Sequence, residues 1–194
     1  MAVQLINLAE QGHVLATRER GRATADVFQE ALTHTRPSVV MNFAGVEVAS
    51  PSYLDEILTR MRGVLTDASS GIVVVTEMNQ DVRESLELVL ERRKMALATL
   101  KNDTIELLGG RRQLAETLAA ASEVQTFKAS ELAERLRIKL PNLHQRLKAL
   151  GEAGAVAREV DDTATSGRRY DYRAPDPKEL NPESLDARNL VVSC

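Results

Sequence analysis

The sequence predicts an α/β layer followed by an α+β segment: a small sheet covered by helices, then three helices and a hairpin. Three observations lead there. Short apolar runs rich in β-branched residues, "PSVVMNFAG" (37–45) and "GIVVVT" (71–76), have strand length and are bounded by Pro or Gly. Around them, apolar residues recur at helical spacing. From residue 111 the rhythm changes to three successive helical patterns and then an alternating pair of runs.

Each element follows in order. Residues 21–33 offer Ala23, Val27, Phe28 and Leu32 as one helical face. The first apolar run, 37–45, is a buried strand. In "VEVASPSYLDEIL" (46–58) an alternating run stops at Ser-Pro-Ser and a helix begins, with Leu54, Ile57, Leu58, Met61 and Leu65 inward. Proline is favoured at the first helical position, so Ser50 takes the N-cap, where its hydroxyl accepts a backbone N–H. Asp55 and Glu56 read as solvated charges near the first turn. The run 71–76 is a second buried strand. Asp81 precedes a helix through Val82, Leu86, Leu88, Val89 and Leu90, and residues 95–109 form closing strands with a turn at Asn102-Asp103.

The second half starts with a helix carrying Leu114, Leu118 and Ala121. "FKASELAERLRI" follows, with Leu132, Ala133 and Leu136 inward. "KLPNLHQRLKALGEAG" places Leu143, Leu147 and Leu150 on one face, and Gly154 closes it as a left-handed residue. "AVAREV" and "RRYDYRA" are strands joined by the turn residues "DDTATSG". Three helices and a hairpin make a winged helix-turn-helix. The expected organisation is therefore 1–108, an α/β regulatory domain; 109–175, a winged helix-turn-helix; and 176–194, a tail with a short helix. Proteolysis near 109–112 or 122–127, or in the tail, should then leave a folded N-terminal fragment.

Composition narrows the function. The 194 residues carry a net charge of −3, spread unevenly: 11 Lys and Arg face 15 Asp and Glu in 1–110, against 12 and 9 in 111–175. An acidic half joined to a basic segment fits a partner-facing unit and a nucleic-acid-facing one. The one cysteine, Cys194, excludes a disulfide framework and a cysteine-based metal site. No apolar run is long enough for a membrane and no secretory signal is evident, so the expected compartment is cytoplasmic. His13, His34 and His144 are scattered, Gly109-Gly110-Arg111-Arg112 lacks P-loop spacing, and no zinc motif occurs. The chain reads as neither an enzyme nor a holder of a cofactor or metal.

On the third helix, Asn142, His144, Gln145, Arg146 and Lys148 face outward or flank the leucine seam. Asn and Gln can pair bidentately with adenine and Arg with guanine. Arg158 and Arg173 on the strands, and Arg168 and Arg169 beside the turn, suit phosphate contacts. The partners implied are double-stranded DNA, a second copy to form a homodimer on a palindrome, and a protein partner for the first half.

Two resemblances support this reading. "GVEVASPS" running into "YLDEIL", with Arg18-Glu19-Arg20-Gly21 and Asn79-Gln80-Asp81-Val82, resembles the bacterial STAS-like family of unknown function over about residues 1–108. Regulatory STAS domains carry a phosphorylatable serine at this helix start. Here Pro51 falls at that position and Ser50 at the preceding aspartate. Ser50 thus reads as a cap, and Ser52 is the better regulatory candidate. "ELAERL" and "NLHQRLKALGEAGAV" resemble the MarR/ArsR-like winged-helix regulators over about 60 residues. In that family the second of these is the recognition helix and the start of the wing. Lys128 stands where Ser or Thr usually caps the preceding helix. The resemblances imply a prokaryotic transcriptional regulator. The rival is a protein–protein adaptor or anti-anti-sigma-like module whose winged helix docks on protein.

Overall fold

The computed structural model describes residues 3–35, 38–68, 71–160, 170–182 and 185. Its strands are β1 (Val3–Asn7), β2 (Val14–Leu15), β3 (Ser38–Asn42), β4 (Val48–Ala49), β5 (Ile72–Thr76), β6 (Ala96–Lys101), β7 (Thr104–Gly109), β8 (Thr126–Lys128), β9 (Ala157–Val160) and β10 (Tyr170–Arg173). Its helices are α1 (Arg18–Thr35), α2 (Pro51–Ala68), α3 (Gln80–Arg93), α4 (Arg112–Val124), α5 (Ala129–Leu136), α6 (Leu140–Glu152) and α7 (Pro177–Leu180). The protein is a mixed α/β structure built on a mostly parallel sheet.

The main sheet runs β1-β3-β5-β6-β7, with only the last pair antiparallel. β3 and β5 are buried along their whole length, which is why "SVVMN" and "IVVVT" read as continuous apolar runs rather than alternating ones. The hairpin β6–β7 turns at Asn102 and Asp103, both with positive φ (48° and 57°), as the expected turn requires. β1 was not expected; its short alternating run pairs in register with β3.

The strand order explains the rest of the architecture. The parallel strands follow one another across the sheet without reversal. Right-handed crossovers then put every connecting helix on the same side. Val39, Met41, Val73, Val75 and Leu97 accordingly pack against α1, α2 and α3 in one apolar cluster. The alternate residues Val40, Ile72, Val74, Ala96 and Ala98 face the other way, where no crossover helix exists. They are covered by the second half of the chain, in a cluster with Leu118, Phe127, Leu132, Leu143, Leu147 and Leu150. A backbone bond joins the two halves directly: the Val73 N–H donates to the Gly154 carbonyl at 2.7 Å. The boundary at 108/109 therefore does not separate two hydrophobic cores.

Residues 109–175 hold three helices, as expected, with the short strand β8 inserted between the first two. β8, β10 and β9 form a three-stranded antiparallel sheet. The expected turn 161–167, the first two residues of the strand expected after it, and residues 183–184 and 186–194 of the tail lie outside the described residues.

Local chemistry positions α1, α2 and α3. The inward face of α1 is Gly21, Thr24, Ala25, Phe28 and Leu32, while Ala23 and Val27, expected inward, are exposed. The partner helix explains this rotation: the Thr24 hydroxyl lies 2.9 Å from the buried Tyr53 hydroxyl of α2. Gly21 permits the close approach, because a Cβ there would stand 2.7 Å from the Tyr53 carbonyl. Asp55 and Glu56 are not solvated charges. Asp55 accepts from Arg92 (2.9 Å) and Arg93 (2.6 Å), tying α2 to α3. Glu56 accepts from Arg18 and Arg22, tying α2 to α1. Asn79 caps α3 by accepting from Val82 N–H, and its amide donates to the Val46 and Glu47 carbonyls.

Candidate nucleic-acid interface

α6 begins after Lys139 with Pro141 in its first turn and is seated by Leu143, Leu147 and Leu150, all buried. That seam decides which side chains are presented. At about 100° per residue, Gln145 and Lys148 lie opposite the leucines, with Asn142 and His144 on the two flanks. All four are exposed.

Arg146 differs from the expectation that it points outward. It is half-buried and turned toward α4, where one Nη donates to the Thr117 hydroxyl (3.2 Å) and the Gln113 carbonyl (3.4 Å). The helical wheel accounts for this: position 146 lies only about 40° from Leu150 and about 60° from Leu143. That signal was present in the sequence.

The strand cations also divide. Arg158 is exposed, with its guanidinium 4.4 Å above the Tyr170 ring in a cation–π contact. Tyr172 stacks on Phe127 with centroids 5.8 Å apart, and burial pushes its phenol upward. Arg173, expected as a phosphate contact, is only 17% exposed and ion-paired to Glu159, so it offers no surface cation. Arg168 and Arg169 lie outside the described residues.

The structure brings three expected residues together. His144 and Lys148, one helical turn apart, share a cleft of about 540 Å³ with Arg158, Tyr170 and Tyr172. On the opposite flank Asn142, Gln145 and Arg146 line a second cleft of about 780 Å³. Sequence reasoning missed Arg137 and Lys139, exposed cations in the turn that feeds α6. The signal was the "RLRIKL" stretch between the two helices.

Ser50 is the α2 cap. Its hydroxyl accepts from the Tyr53 N–H (3.2 Å) and donates to the Ala16 carbonyl (2.7 Å), so both capacities are used. Ser52 is half-buried in the same turn. At the start of α5, Lys128 occupies the cap position and the Glu131 carboxylate accepts its backbone N–H at 2.9 Å, which preserves that half of a capping box without Ser or Thr. Among the described residues no group of three or more His, Cys, Asp or Glu is placed to hold a metal ion, and no helix is long and apolar enough to cross a membrane.

No family model matches the chain, and no curated protein or solved structure matches it.

Proposed function

We propose that the chain is a DNA-binding transcriptional regulator. In this reading α4–α6 with β8–β10 act as a winged helix-turn-helix, α6 is its recognition helix, and the STAS-like layer before it receives a partner or signal. One observation carries the reading: a helix anchored by three buried leucines presents Asn142, Gln145, His144 and Lys148 to solvent, with the Arg158 cation beside it. The Gln145 and Asn142 amides suit base edges, and the Lys148 and Arg158 cations suit phosphates. One such helix contacts few bases, so the working form is a homodimer on a palindromic site.

The rival adaptor reading draws on the net charge of −3 and on Glu152 near the end of the same helix. The two are separated by titrating genomic and random duplexes at several salt concentrations. Gln145→Ala should cost about 1–3 kcal/mol on the specific site and much less on random duplex. Lys148→Ala should weaken both alike and flatten the salt slope by about one. Absence of duplex binding at low salt would replace the regulator by the adaptor.

A further inference from the structure

The larger cleft beside α6 has a chemistry the DNA reading does not use. Its floor is apolar, from Leu90, Met95, Leu114 and Ala149. Its walls come from both halves of the chain: the end of α3, the start of α4 and one flank of α6. Lys94 and Arg111 stand at its rim, both exposed, and neither has an ion-pair partner among the described residues. Arg146 lies deeper. One Nη is committed to α4, while its Nε and second Nη make no hydrogen bond among the described residues. Concave walls with an excess of positive charge focus the field inward and favour an anion. Two acids, Glu91 and Glu152, also line the cleft, against the four cations Arg62, Lys94, Arg111 and Arg146.

Size and the remaining polar groups define the anion further. About 780 Å³ is far more than an inorganic ion fills and lies within the range of small-molecule sites. The side-chain amides of Gln113, Asn142 and Gln145 also line it, with no hydrogen bond of their own among the described residues. A primary amide pairs donor and acceptor with the edge of a purine.

We propose that this cleft binds a nucleoside phosphate, with the phosphates held by Lys94, Arg111 and Arg146 and the base laid on the apolar floor against the amides. One consequence rests on the DNA reading of α6. Asn142 and Gln145 serve both ligands, so nucleotide and duplex exclude one another, and each lowers the apparent affinity of the other as its own concentration rises above its Kd.

The test is calorimetric titration of the full chain with ATP, AMP and inorganic orthophosphate, repeated on the Lys94→Gln/Arg111→Gln double variant. Both replaced residues are exposed, so the fold should be retained, which circular dichroism checks. ATP should bind, orthophosphate should bind at least about tenfold more weakly, and the double variant should lose about tenfold or more in ATP affinity. No heat with millimolar ATP overturns the proposal. ATP binding unchanged in the double variant removes the site from this cleft. Orthophosphate binding as tightly as ATP removes the nucleoside. Competition with duplex is measured separately: a chain that binds ATP but no duplex loses the regulator reading and keeps this one, and the converse result does the opposite.

Discussion

Asp55 links the α2 helix to α3 and sets a pH-dependent part of the stability. Its side chain is 11% exposed and receives hydrogen bonds from Arg92 and Arg93. The Arg93 hydrogen bond, opposed by burial and helped by Arg92, lowers its pKa from 3.8 to about 2. Each pH unit of displacement is worth about 1.36 kcal/mol, so the ceiling is about 2.4 kcal/mol. Arg92 is 62% exposed, and water screens its share. Asp55→Asn, which keeps the shape and removes the charge, should therefore cost about 1.5 kcal/mol at pH 7. For a chain of this length that lowers Tm by about 3–6 °C. The folded pKa lies below the unfolded one, so this stabilisation is complete above about pH 4 and is lost as pH falls through about 2. Urea denaturation of wild type and variant at pH 7 and pH 3 should show the gap between them shrinking to about half. Equal stabilities at pH 7, or a gap that does not change with pH, would refute the argument.

Other expectations follow from single contacts. Ser50→Ala removes both a cap and the bond to Ala16, and should cost about 1–2 kcal/mol in denaturant titration while leaving duplex affinity unchanged. Gly21→Ala would gain about 1 kcal/mol from helix propensity alone. The clash with the Tyr53 carbonyl should reverse the sign, so a raised Tm would show that the α1–α2 contact is looser than described. Gly154→Ala places a Cβ 3.0 Å from Leu65 and Val73 at a φ of +65°, and should destabilise the chain in one transition seen equally by probes in both halves. A chain truncated after residue 108 leaves Val40, Ile72, Val74 and Ala98 uncovered and should aggregate or fail to fold. A soluble, cooperatively melting fragment would restore the expectation of independent domains.

Much of the local structure is legible in the sequence. The buried strands, the hairpin at Asn102-Asp103, the Ser50-Pro51 helix start and the three-leucine seam of α6 are written in contiguous residues, where period, turn chemistry and capping act over a few positions. α1 was placed but rotated, because its inward stripe depends on Tyr53, 29 residues away from Thr24. Asp55 and Glu56 looked like ordinary surface charges for the same reason: their arginines come from other helices. Of the site, the sequence marked Asn142, His144, Gln145 and Lys148 as exposed polar positions on α6, since the leucines alone decide that geometry. It did not show that Arg173 is turned inward, nor that Lys94 and Arg111 stand at the rim of a cleft with Asn142. Those placements depend on how the second half packs on the sheet. A sheet whose parallel strands run in order, with all its helices on one side, leaves an apolar face that something must cover. Local pattern determined each element by itself, and burial of that remaining face, a cost shared by residues far apart in the chain, decided where the halves meet and which side chains the meeting brings together.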